Sequence, residues 1–298
     1  MNGKIFKALS GFYYVKTDSR KIYECKAKGS FRNDDITPLV GDNVVFDVIS
    51  ENPAVGNITE ILPRRNSLFR PAVANVDQAM VVFAVRQPVP NLSILDRFLV
   101  LMEKQGIDTI IVFNKKDLAK VDDIKNLKET YKKSGYKVYF ICADGEKVSL
   151  SSLKMHLRNK ITVMAGPSGV GKSSILNVLG GLKGEDYARV GTISAKAGRG
   201  KHTTRHNEIF TFGKNYNIVD TPGFTSLLVN AEDVAREELK NMFREFGAYE
   251  QKCPFKDCSH IKERDCAVRK AVEDGRISLS RYNSYKSIYE ELKSQKTF

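Results

Sequence analysis

The chain lacks any apolar run approaching the roughly 18 residues that a membrane-spanning helix needs. That excludes a helical transmembrane protein. Its start, Met1-Asn2-Gly3-Lys4, is not followed by the apolar core of a secretory signal, so a cytoplasmic location is expected. Acidic residues are in deficit. Forty-eight Lys and Arg face 35 Asp and Glu, a formal net charge of +13 with an isoelectric point near 9.4. Such a balance favours a polyanionic partner, nucleic acid first, over the bland alternative of a surface made basic for solubility. Cysteine is also scarce, with five in the chain. In a cytoplasmic protein a disulfide is not expected. Cys25 and Cys142 sit in strand-like runs and read as small buried hydrophobes.

What is present is more specific. Three short motifs occur in an unusual order: Asn114-Lys115-Lys116-Asp117, then Gly166-Pro167-Ser168-Gly169-Val170-Gly171-Lys172-Ser173, then Asp220-Thr221-Pro222-Gly223. Each is a piece of a GTP-binding site. In an ordinary GTPase the phosphate loop leads and the N-K-x-D base reader trails. Here the reader comes first, so the chain reads as a circularly permuted GTPase. The phosphate loop follows the apolar run Ile161–Ala165 and precedes a helical pattern from Ser174, the strand–loop–helix context the motif requires. Backbone N–H groups from Gly166 to Ser174 then cradle phosphate oxygens at a helix N-terminus. Lys172 should reach the β- and γ-phosphates, and Ser173 should ligate Mg²⁺.

Asn114 ends a second apolar run, Thr109–Phe113. Asp117 is placed to accept hydrogen bonds from the guanine ring N–H and exocyclic amine, a donor pair adenine does not offer. Lys115 would pack along the base and Asn114 would brace the loop. Cys142-Ala143, after the strand-like Lys137–Ile141, is the candidate second base loop, where GTPases often carry Ser-Ala. On the metal side, Asp220 should hold Mg²⁺ through water, and the Gly223 N–H should sense the γ-phosphate. Between them and the phosphate loop lies the basic segment Gly198–His206, suited to a switch loop. Thr203 or Thr204 would add a Mg²⁺ ligand there, with Thr204 preferred. One local absence matters. The residue after D-x-x-G is Phe224, not the Gln that often orients the attacking water. Intrinsic hydrolysis should be slow, and His202 is the candidate for positioning water, ahead of His206. An ATP-consuming phosphotransferase would use the same phosphate loop, but Asn114–Asp117 argues against it.

Cys253, Cys258, His260 and Cys266 form C-x4-C-x-H-x5-C, four soft ligands within fourteen residues. Cys₃His suits one structural Zn²⁺ in a closed tetrahedral shell.

The 298 residues leave room for two or three domains. Residues 1–70 read as all-β: Gly11–Lys16, Lys21–Lys26, Asn43–Val48 and Gly56–Ile61 are short strands, with a turn at Pro38–Asp42. Five short strands in that length suit an OB-like barrel that binds RNA. Arg64–Ser67 reads as its exit linker. Residues 71–230 alternate strands and helices, implying a parallel sheet with ligand loops at the strand C-termini. Residues 231–298 read as a helical zinc-binding domain, in which Tyr282, Tyr285 and Tyr289 share a face that favours packing over RNA stacking. The fold class is thus a multi-domain α/β protein with a small all-β domain.

The barrel, the permuted motif order, the apolar residue after D-T-P-G and the C-terminal cysteine pattern together resemble the ribosome small-subunit-dependent GTPase A family of bacteria. The resemblance covers essentially the whole chain. It implies GTP hydrolysis stimulated by the small (30S) ribosomal subunit and contact with its 16S rRNA during late maturation. A monomer is expected. Cys142 is the main departure. Because Gly223 precedes the cysteine cluster by about thirty residues, the γ-phosphate sensor could pull on an RNA-facing element. A GTP-dependent switch acting on a protein target is the competing reading.

Overall fold

The computed structural model describes residues 1–29, 31, 36–68, 72–143, 150–181, 208–212, 215–220 and 233–295. Five strands, β1 (Asn2–Leu9), β2 (Phe12–Lys16), β3 (Ile22–Ala27), β4 (Asn43–Glu51) and β5 (Ala54–Ile61), close into a barrel in the order β1-β2-β3-β5-β4. All its pairings are antiparallel except β3 with β5, as expected of an OB-like barrel. Inward positions carry Ile5, Val15, Tyr23, Cys25, Val44, Phe46 and Ile58, all fully buried. Cys25 is therefore a core residue, as its strand context suggests. The opening strand β1 escapes the sequence pattern because Ile5 is its one fully buried residue, so alternation is faint.

Arg64 and Arg65, expected in a linker, are instead tied down. Arg64 donates from Nε to Asp42 Oδ1 at 2.7 Å and from Nη2 to Asp42 Oδ2 at 2.8 Å. Arg65 donates to the Asn75 and Val76 carbonyls, both at 3.2 Å, and to Asp77 Oδ1 at 2.7 Å. A short hairpin, β6 (Ser67–Leu68) with β7 (Val73–Ala74), follows.

The described chain divides into two compact units, one containing the described residues of 1–78, 154–164 and 173–222, the other those of 79–153, 165–172 and 223–298. The second unit holds most of β8 (Gln78–Ala84), then helix α1 (Leu92–Lys104), β9 (Thr109–Asn114), helix α2 (Val121–Lys132) and β10 (Lys137–Phe140). Its strands pair in parallel in the order β10-β9-β8. Both β8 and β9 are buried throughout, which is why they read as unbroken apolar runs. The first unit contains β11 (Ile161–Ala165) up to Met164, preceded by helix α3 (Ser151–Leu157) from Lys154 on and followed by helix α4 (Lys172–Gly180) from Ser173 on. There β11 pairs in parallel with β13 (Tyr216–Asp220), which pairs antiparallel with β12 (Ile209–Phe212).

In the second unit, α1 is buried along most of its length and serves two cores. Leu95, Phe98 and Leu99 pack with the β8–β9 layer, and Val100 packs with the C-terminal residues Leu239, Phe243, Phe246 and Ile288. That C-terminal region contains two 3₁₀ turns (Arg236–Met242 and Arg244–Phe246) and helices α5 (Gly247–Glu250), α6 (Ala267–Glu273) and α7 (Leu279–Ser294). Tyr285 is fully buried and Tyr282 nearly so, and Tyr289 packs against the same core. The tyrosine stripe is packing.

Candidate nucleotide loops and metal centre

The all-buried β11 runs directly into the phosphate loop. Two glycines there are required by their surroundings. Gly166 has φ +147°, and a Cβ on it would lie 2.1 Å from the Val82 carbonyl oxygen; Gly171 has φ +90°, and a Cβ would lie 2.3 Å from Asn114 Nδ2. Lys172 Nζ donates to the Gly166 and Pro167 carbonyls, both at 2.8 Å, so the ammonium is held over the loop itself. Ser168 and Gly169 are exposed at the loop tip, Val170 is buried beneath it, and Ser173 is exposed in the first turn of α4.

Asn114 ties the separate loops together. It is 2% exposed. Its Nδ2 donates to the Val170 carbonyl at 3.0 Å, and its Oδ1 accepts from the Ala143 N–H at 3.1 Å. One amide therefore uses its carbonyl oxygen and an N–H donor to join the base-reader strand, the phosphate loop and the Cys142-Ala143 loop. Backbone bonds add to this: Val85 N–H to Asn114 O at 2.8 Å and Lys116 N–H to Ile141 O at 3.0 Å. Lys115 adopts φ +59°, which turns the chain sharply at the strand end, and its Nζ donates to the Gln87 carbonyl. Asp117 stands exposed in the 3₁₀ turn Lys116–Leu118. Cys142 and Ala143 are buried, at 4% exposure each.

Asp220 ends β13, with its backbone in register with Met164 of β11. Its side chain, and all of His202, Thr203, Thr204, His206, Gly223 and Phe224, lie outside the described residues.

The cysteine cluster comes together as expected. The ligand atoms of Cys253, Cys258, His260 and Cys266 lie within 4.8 Å of one another. Cys253 Sγ is 3.9 Å from Cys266 Sγ and 3.7 Å from His260 Nδ1, and His260 Nδ1 is 3.3 Å from Cys266 Sγ. A tetrahedron with Zn–S bonds of about 2.3 Å has S···S edges of about 3.8 Å, so the donor set and its spacing fit zinc. They do not fit a disulfide, whose S–S bond is about 2.05 Å. Burial pushes the Cys258 thiol up to about 12 and also raises Cys266, while it lowers the His260 imidazolium. A metal here displaces thiol protons, so its binding weakens as pH falls.

Two residues that shape this region, Glu263 and Arg281, were not singled out in the sequence, and the tyrosine stripe does more there than pack. Glu263 lines the turn inside the cluster: Oε1 accepts from Ser259 N at 2.7 Å and Ser259 Oγ at 2.6 Å, and Oε2 accepts from the N–H groups of Ile261 and Lys262, both at 3.0 Å. Burial opposes its charge, but hydrogen bonds from the Ser259 hydroxyl and from the N–H groups of Ser259, Glu263 itself and Lys262 win and bring its carboxyl down to about 2. Tyr282 Oη donates to the His260 carbonyl at 2.8 Å, and Tyr285 Oη donates to that of Ser259. Deeper still, Arg281 is fully buried. Its Nε and Nη2 bond Glu245 at 2.7 and 3.0 Å, and its Nη1 bonds Asp96 of α1 at 2.8 Å. Tyr131 of α2 donates to the same Asp96 oxygen at 3.0 Å. Sequence offered no signal for this network, because Arg281 and Asp96 are 185 residues apart.

Comparison with known proteins adds an independent line. Residues 61–230 match the family model described as RsgA GTPase, and residues 2–56 match that of the RsgA N-terminal domain. The small ribosomal subunit biogenesis GTPase RsgA of Agathobacter rectalis is 46% identical over 309 residues, covering all of both chains. The protein of the same name from Clostridium perfringens is 46% identical over 98% of each. Among solved structures, YjeQ from Thermotoga maritima superposes with a TM-score of 0.82 at 36% identity over 99% of each chain. YloQ, described as a circularly permuted GTPase, superposes at 0.79 with 40% identity over 100% of this chain and 96% of its own.

Proposed function

The chain belongs to the RsgA family of GTPases, and from that membership we propose that it hydrolyses GTP to GDP and phosphate, binds the small ribosomal subunit and acts in that particle's late maturation, with the subunit stimulating hydrolysis. The single observation that carries the nucleotide reading is the Asn114 amide, which joins the base-reader strand to the phosphate loop and the Ala143 loop despite the permuted motif order.

In this reading Asp117 takes the guanine N–H groups, with Lys115, Cys142 and Ala143 lining the base. The backbone of Gly166, Pro167, Ser168, Gly169, Val170, Gly171, Lys172, Ser173 and Ser174 holds the phosphates, and Lys172 neutralises charge building on the β–γ bridge. Ser173, Asp220 and Thr204 hold Mg²⁺, and the exposed hydroxyl of Ser173 in the first turn of α4 is consistent with that role. Magnesium neutralises phosphate charge when bound. His202 positions the attacking water in place of the missing Gln, and Gly223 senses the γ-phosphate. Zinc is held by Cys253, Cys258, His260 and Cys266, and serves the fold rather than the reaction.

We also propose a barrel domain over 1–70 that contacts 16S rRNA, a permuted GTPase domain over 71–230, a zinc-binding domain over 231–298, a monomeric state and a cytoplasmic location. The net charge of +13 supports the RNA contact. Among the described residues no helix is long and apolar enough to cross a membrane.

The test is GTP hydrolysis by the purified protein alone, with small subunits and with large subunits, alongside His202→Ala. Strong stimulation by small subunits only is expected, and it is lost in His202→Ala with GTP binding retained. Equal rates with and without either particle would favour a switch acting on a protein target.

A further inference from the structure

Beside the base-reading loops, the second unit carries a cleft that the nucleotide site does not use. Strand β10 and helix α2 border about 360 Å³ of open space lined by Lys116, Ile124, Lys128, Lys132, Tyr136, Val138 and Phe140. The volume lies at the small end of ligand sites, room for one compact group. Its construction follows from the fold. Among the described residues β10 is an edge strand, paired only with β9. Val138 and Phe140 alternate onto one face of it, and Ile124 meets them from α2. Phe140 stacks one face on Phe113, with centroids 5.4 Å apart and planes 20° apart, while also lining the cleft.

The lining combines an apolar floor with three ammonium groups and, among the described residues, contains no carboxylate. Glu129 sits one turn from Lys132 at 3.6 Å, but both side chains are more than half exposed, so the pair neutralises little. A purely apolar partner would strip water from the lysines without compensation. A simple anion would leave the floor uncovered. A nucleotide of unpaired RNA supplies both parts, a π-face for the aromatic floor and phosphates for the lysine rim.

We propose that this cleft docks one unpaired nucleotide of single-stranded RNA, its base against Phe140 and its flanking phosphates on Lys128 and Lys132. This rests on the reading that the partner is ribosomal RNA. The position gives the contact a consequence. Lys116 belongs to the Asn114–Asp117 segment, and Phe140 lies two residues before Cys142-Ala143, whose N–H the Asn114 amide holds. RNA seated here touches both segments that form the base loops, so docking can be felt by the nucleotide.

The test uses the full-length protein and a single-stranded RNA decamer carrying 5-bromouridine. After irradiation, the crosslinked peptides are mapped by mass spectrometry. The expected result is a crosslink within residues 137–143. Lys128→Glu/Lys132→Glu should lower its yield by about tenfold at moderate salt. Both lysines are exposed, so the variant should fold, which its thermal unfolding midpoint checks. Its basal hydrolysis should match the parent while its subunit-stimulated hydrolysis falls. Crosslinks confined to other regions, or a yield unchanged by the double substitution, would overturn the proposal. Loss of subunit stimulation in the variant with no RNA crosslink at the cleft would also overturn it, in favour of an acidic protein segment. Failure of the underlying reading looks different: the parent protein itself would show no stimulation by small subunits.

Discussion

The nucleotide loops and the cysteine–histidine centre are both organised by a few buried side chains, yet they are organised in opposite senses. In the nucleotide loops the chemistry faces outward from the backbone, and one internal amide, Asn114, sets the spacing of three loops. In the metal centre the reactive atoms themselves turn inward, three of the four ligands are buried, and the surrounding chain is fixed by Glu263, Tyr282 and Tyr285. The first arrangement leaves Asp117 and Ser168 exposed, where the proposed nucleotide would meet them. The second gathers four ligand atoms that fit a structural zinc ion. Within the second unit, α1 packs against both cores, and the Asp96–Arg281–Glu245 network links it to the C-terminal helices.

This contrast can be broken from either side. The largest effect is expected from Cys266→Ser. Bound zinc should fall from about one ion per chain to near none, and small-subunit binding should fall with it, while GTP affinity stays within about twofold. Metal analysis with fluorescent nucleotide titration checks this, and a parallel loss of GTP affinity would show that the two regions are not separable. Next is Arg281→Met, which leaves the Asp96 and Glu245 carboxylates buried without their cation. A loss of about 3–5 kcal/mol in unfolding free energy is expected by denaturant titration. Asn114→Ala should do the converse of Cys266→Ser: GTP affinity falls about 10- to 100-fold as two interloop hydrogen bonds disappear, and zinc content is unchanged.

The smallest effect sharpens the metal side. The Glu263 carboxyl sits at about 2 in the folded protein against an ordinary 4.5. A depressed carboxyl contributes stability that is full above the ordinary value and is lost as pH falls through the folded one. The parent protein should therefore lose stability between about pH 4.5 and 2 relative to Glu263→Gln, whose own profile is flatter there. Matching profiles would remove Glu263 from the account.

Much of this was legible in sequence for a physical reason. Thr109–Asn114 and Ile161–Ala165 are buried at every position, so they read as unbroken apolar runs, and each delivers a motif at its end. The cysteine cluster was legible because its four ligands are local. The Arg281 network was not, since its partners lie 36 and 185 residues away and each looks alone like an ordinary surface charge. Strand β1 was missed because a single buried residue makes no pattern. Arg64 and Arg65 looked like linker because only the fold brings Asp42, Asn75 and Asp77 to them.

The central claim is that a base reader placed before the phosphate loop recognises guanine through Asp117. The direct measurement is nucleotide affinity of Asp117→Asn for GTP and for xanthosine triphosphate. Exchanging an acceptor carboxylate for an amide should cost GTP at least about 100-fold while strengthening xanthosine triphosphate, whose ring carbonyl accepts where guanine donates. Unchanged GTP affinity, with no gain for xanthosine triphosphate, would contradict the account.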